Sequence, residues 1–69
     1  MSDSHIPQLL TVKQFVDSYP AFTIGGVRSY IFWEDTNGLR ASGAIKRIGK
    51  RKILIDVAAF FRWIDAQNN

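Results

Sequence analysis

TVKQFVDSYPAFTIGGVRSYIFW, running from Thr11 to Trp33, contains two helix starts and one helix stop. Thr11 and Gln14 form a T-x-x-Q capping box, in which each side chain can satisfy an orphan backbone N–H of the other. Leu10 and Phe15 bracket that cap at the spacing of a hydrophobic staple. Val12, Phe15, Val16 and Tyr19 follow at i, i+3, i+4 and i+7, which places them on one helical face. Pro20 disfavours helical geometry at Tyr19 and stops the first helix. A second helix is expected from Thr23, with Phe22 and Val27 as its staple and with Val27, Tyr30 and Ile31 facing inward. Two helices joined by so short a connection are the pattern of a helix-turn-helix.

Downstream, Asp35–Thr36–Asn37–Gly38 ends the second helix, and Leu39 to Gly43 reads as loop. Ala44 to Ile48 and Lys52 to Ile55 are short β-rich runs around Gly49–Lys50–Arg51, a hairpin with a glycine-containing three-residue loop. Asp56 is a good N-cap for a third helix, whose inner face is expected to hold Val57, Phe60, Phe61 and Ile64. The expected fold is α+β: a small winged helix-turn-helix of three helices, with a two-stranded β-hairpin wing between the second and third. Residues 1–8 are expected to form a flexible tail, and residues 9–67 the domain. The expected core is Val12, Phe15, Val16, Val27, Ile31, Ile53, Phe60, Phe61 and Ile64.

Sixty-nine residues allow one small domain, and 46% hydrophobic content with five Phe, two Tyr and two Trp is globular rather than disordered. Without cysteine there is neither a disulfide framework nor a thiolate zinc site. His5 stands alone, so no metal site is expected. No paired carboxylates, phosphate loop or nucleophile–base set stands out, so neither an enzyme nor a cofactor is expected. The start of the chain lacks the charged and apolar regions of a secretory signal. No apolar run approaches the roughly 18 residues of a membrane span. A soluble, cytoplasmic protein with no membrane partner is expected.

The net charge of +3 is unevenly spread. Arg40, Lys46, Arg47, Lys50, Arg51 and Lys52 occur with no acid among them, a local charge of +6, and the rest of the chain sums to −3. Such a segment suits a polyanion. Double-stranded DNA is the expected partner. Lys46, Arg47, Lys50, Arg51 and Lys52 of the hairpin would neutralise phosphates, although lysines also guard exposed strand edges. The second helix would enter the major groove with its N-terminal residues towards the bases. There it offers Thr23, Gly25, Gly26, Arg28 and Ser29. Arg28 is suited to guanine O6 and N7, or to a phosphate or a neighbouring acid. Thr23 is an N-cap whose surroundings could also meet a phosphate. Phe32, Trp33 and Trp63 are candidate stacking residues. Because Phe32 and Trp33 are consecutive, both cannot point fully inward.

The ordered set Leu10–Thr11–Val12–Lys13–Gln14–Phe15, Phe22–Thr23, Arg28, Thr36–Asn37–Gly38–Leu39, Ser42–Gly43–Ala44–Ile45, Ile48–Gly49–Lys50–Arg51 and Ile53–Leu54–Ile55–Asp56 resembles the small AlpA and excisionase-like family. Those proteins belong to prophages and other integrated elements and are distantly similar to the DNA-binding half of MerR regulators. The resemblance spans Leu10 to Ile64. It implies a bacterial, nucleoid-associated, sequence-specific DNA-binding accessory protein without catalysis. The first role implied is that of an excisionase, or recombination directionality factor, which binds and bends attachment-site DNA and steers a phage-type integrase towards excision. The second is an AlpA-like transcriptional regulator of prophage or integrase genes. A reading from another class is a protein-interaction module or inhibitor that docks through Phe32, Trp33 and the hairpin. The long dimerising helix and effector domain of MerR proteins have no counterpart. A monomer in solution is expected, with any cooperation arising on DNA.

Overall fold

The computed structural model describes residues 8–67. Along the chain these form β1 (Leu9–Leu10), α1 (Val12–Ser18), α2 (Ile24–Phe32), α3 (Glu34–Asn37), α4 (Leu39–Ser42), β2 (Ile45–Ile48), β3 (Lys52–Asp56) and α5 (Val57–Gln67). The class is α+β as expected, but the inventory differs: five helices among the described residues instead of three, and three strands instead of two. Most of the tail expected at residues 1–8 lies outside the described residues. Gln8, at its end, accepts a hydrogen bond from the Val57 N–H at 3.1 Å.

The local signals at the helix starts operate as expected. Gln14 N–H donates to Thr11 Oγ1 at 3.1 Å, and Thr11 N–H donates to Gln14 Oε1 at 3.0 Å, closing the capping box of α1. The Thr23 hydroxyl accepts from Gly26 N–H at 3.0 Å and caps α2. The hairpin also forms where expected. β2 and β3 pair antiparallel with Arg47 opposite Ile53 and Ile48 opposite Lys52. Gly49 turns between them at φ +65°, in the left-handed region that glycine enters without a Cβ penalty.

Two features depart from expectation. Leu9–Leu10 is a strand, pairing Leu10 with Ile55, so β3 is the centre of a sheet ordered β1-β3-β2. A strand of two residues has no alternation to read, and its partner lies far along the chain. The stretch expected as turn and loop after α2 is instead two single-turn helices. Gly38, at φ +84°, breaks the chain between them. Asn37 fixes the break: its Nδ2 donates to the Tyr30 carbonyl, and its Oδ1 accepts from Leu39 N–H, each at 2.9 Å. This arrangement buries Leu39 completely, which an exposed loop would not do.

The core is built around Phe15, Val27, Leu39, Ile55 and Phe60, all fully buried. Phe15 and Phe60 meet edge to face, with ring centroids 4.9 Å apart. Of the expected core, Phe15, Val27, Ile31 and Phe60 are buried, whereas Val12, Val16, Ile53, Phe61 and Ile64 pack half-buried against it. Trp63, a candidate stacking residue in the sequence, is buried, and its indole N–H donates to the Asn37 carbonyl at 2.8 Å. Tyr30, expected to face inward, stays 40% exposed and rests edge-on against Trp63.

Truncating Phe60 would empty the contact between α1 and α5. Phe60→Ala is expected to cost ~3–5 kcal/mol, a large part of the stability of a domain this small. Urea unfolding of the two proteins measures it, and an unchanged midpoint would refute the core assigned to α5.

Candidate functional site

Burial of Val27 and Ile31 fixes the rotation of α2. The opposite face then carries Gly25, Arg28, Ser29 and Phe32 at i, i+3, i+4 and i+7, all exposed. They form one continuous stripe. It offers a bare backbone, a guanidinium, a hydroxyl and an aromatic ring in succession. A Cβ at Gly25 would meet nothing within 4 Å, so the fold does not demand glycine there. Gly26 differs: a Cβ there would come within 3.0 Å of Thr23 Oγ1, so this glycine serves the cap. Thr23 is likewise committed to the cap, although it remains exposed.

A cleft of about 680 Å³ separates α2 from the hairpin. Arg28, Ile31 and Phe32 line one side, Arg47, Arg51, Lys52 and Ile53 the other, and Lys13 adds a further cation from α1. The structure thus brings together Arg28, Arg47, Arg51 and Lys52 of the expected site. Thr23, Gly25, Gly26, Ser29, Lys46 and Lys50 do not line this cleft. Strand alternation separates Lys46 from Arg47. Arg47 and its partner Ile53 face the cleft, while the Lys46 ammonium lies near Gly43. Lys50 stands in the exposed tip between the strands.

The positive charge of this region is partly neutralised inside the protein. Glu34, first residue of α3, is only 5% exposed. Arg47 reaches it from the hairpin and forms both an ion pair and a hydrogen bond through Nη2. Arg40 adds a contact at 3.5 Å to Glu34 and one at 3.1 Å to Asp35. Two of the six cations between Arg40 and Lys52 are therefore partnered by acids. Arg28, Lys46, Lys50, Arg51 and Lys52 are exposed and form no ion pair among the described residues. Glu34 carries no signal in the sequence, because its partner lies thirteen positions away and no helical or strand spacing links them.

Phe32 and Trp33 are both exposed, at 76% and 57%, with ring centroids 4.9 Å apart at an interplanar angle of 86°. Their consecutive positions allow only one to turn inward, and neither does. Among the described residues, no group of three or more His, Cys, Asp or Glu could hold a metal ion. None of their helices is long and apolar enough to cross a membrane.

The Glu34–Arg47 pair is asymmetric, and mutation should expose that. Removing Arg47 leaves a buried carboxylate without its nearest cation, whereas removing Lys46 strands nothing. Arg47→Met is expected to lower stability by ~2 kcal/mol, and Lys46→Met to stay within ~0.5 kcal/mol of the parent. Urea unfolding of both variants checks this; equal effects would show that the pair does not hold the hairpin. No protein-family model, curated protein or solved structure matches this chain.

Proposed function

We propose that this chain is a non-catalytic, sequence-specific binder of double-stranded DNA, in which α2 is the reading helix and the β2–β3 hairpin is a wing. The observation that carries the reading is the cleft itself. It sets Arg28 and Phe32, two members of the exposed stripe of a capped helix, opposite Arg51 and Lys52, both free of ion pairs among the described residues. A helix presents base-reading groups, and a cationic ribbon neutralises phosphates beside it. The helix stripe supplies Arg28, whose planar fork matches guanine O6 and N7. Lys50 and Arg51 at the tip and Lys52 at the start of β3 supply the sequence-independent attraction. Arg47 acts differently, as the strut that holds the wing to Glu34. The resemblance to AlpA and excisionase-like proteins supports an accessory role, excision control by a DNA-bound directionality factor, with transcriptional regulation of integrated genes as the alternative.

Reading and holding make separable contributions. Duplexes selected from a random pool and their scrambled counterparts should be titrated across salt concentrations. The triple variant Lys50→Ala, Arg51→Ala, Lys52→Ala is expected to flatten the log–log salt dependence by roughly two to three units on both duplexes. Arg28→Ala is expected to cost ~1–3 kcal/mol on the selected duplex and less on the scrambled one. An unchanged slope would refute the wing, and an equal loss on both duplexes would make Arg28 a phosphate contact. Absence of salt-dependent duplex binding would overturn the reading as a whole.

Gly25 supplies an independent check. Alanine there fits the free protein and favours the helix by up to ~1 kcal/mol, yet adds a methyl group where the helix backbone would approach the bases. Gly25→Ala is expected to melt higher and bind the selected duplex more weakly. Stabilisation with undiminished binding would remove Gly25 from the interface.

A further inference from the structure

Phe32 is unexplained by the fold. It is the most exposed of the large hydrophobic residues described, at 76%, and its position on α2 is committed by the burial of Ile31 beside it. It nevertheless lines the same cleft as Arg28, Arg51 and Lys52, one turn beyond Arg28 on the reading stripe. Trp33 meets the ring edge-on at 4.9 Å, and its backbone N–H closes the end of α2 on the Ser29 carbonyl at 3.1 Å. The aromatic ring therefore stands exposed at a cleft rich in cations.

We infer that Phe32 is a specificity-determining residue that packs against the C5-methyl group of a thymine in the major groove. The inference rests on the DNA-binding reading above and deepens it. Base edges in the major groove present hydrogen-bonding atoms at every position, and the thymine methyl is the apolar group among them. A bare phenyl ring has nothing to offer a phosphate or a hydrogen-bonding edge, and it loses water-exposed area against a methyl. The surrounding charge selects the occupant. Arg28, Arg51 and Lys52 line the same cleft as the ring and form no ion pair among the described residues, while the acid of that cleft, Glu34, is taken up by Arg47 and Arg40, so a polyanion carrying apolar groups is complementary to it. The spacing is specific as well. Four residues of helix rise by about 6 Å, and successive base pairs are about 3.4 Å apart. The inference requires that α2 lie along the groove rather than enter it by its N-terminus alone, and the thymine then lies about two base steps from the guanine met by Arg28.

Removal of one methyl group tests this. Duplexes selected with the wild-type chain are resynthesised with deoxyuridine replacing each thymidine in turn. Wild type is expected to lose about three- to fivefold in affinity at one position, about two steps from the base pair whose preference Arg28→Ala relaxes. Phe32→Ala is expected to bind the methylated duplex that much more weakly and to be indifferent to the uridine. Phe32→Leu, which keeps an apolar side chain, should restore part of the difference. Because the ring is exposed, the melting temperature of Phe32→Ala should match that of the parent. Specific duplex binding with no methyl-sensitive position, or the same methyl sensitivity in wild type and Phe32→Ala, would overturn the inference while leaving the DNA reading intact. The exposed ring would then belong to a protein contact. Failure to select any duplex would overturn both.

Discussion

The edge-to-face contact between Phe15 and Phe60 is the constraint on which the remaining geometry depends. Both rings are fully buried. Phe15 also touches Tyr19, Phe22 and Phe61, so one side chain of α1 gathers the aromatic groups of three segments. A domain this small buries a modest share of its surface and has few positions to spare. Once α1 and α5 are locked together, α2 can satisfy Val27 and Ile31 only by packing its inner face on the same cluster. Its outer face, with Gly25, Arg28, Ser29 and Phe32, is then determined by exclusion.

A second constraint is electrostatic. The hairpin hangs from the body through backbone pairing in β3, and its side towards α2 is tied by Arg47 to Glu34. A carboxylate this buried is costly unless it is paired. The cost falls on any arrangement in which the hairpin swings away, because Arg40, 3.5 Å distant, would be left as its cation. Glu34 and Arg47 both line the cleft, so the ion pair lies within it. The pair also makes the formal +6 of the basic segment an overestimate of what a partner meets.

The features legible in the sequence are local ones. Thr11 and Gln14 are three residues apart and meet across a single turn, so the capping box can be read directly; the same holds for Thr23 and for Gly49 in its loop. The rotation of α2 follows from the helical spacing of Val27 and Ile31, which also turns Arg28 and Ser29 outward. The features that escape such a reading involve distant partners or elements too short to have a period. Leu39 cannot be told from a loop residue, because four-residue helices complete barely one turn. Trp63 needs the Asn37 carbonyl, 26 residues away, to explain its burial. The five hairpin cations look equivalent in the sequence, and only strand alternation and Glu34 separate Lys46 and Arg47 from the tip.

The central position of β3 has a consequence for how the chain assembles. Leu9 and Leu10 pair with Asp56 and Ile55, so the strand before α1 finds its partner only beyond α1 to α4 and β2. Closing so long a loop carries an entropic cost that local contacts must meet first. The β1–β3 pairing is therefore a long-range clasp. The same clasp then ties the segment before α1 to the start of α5, fastening two remote stretches of the chain at one edge.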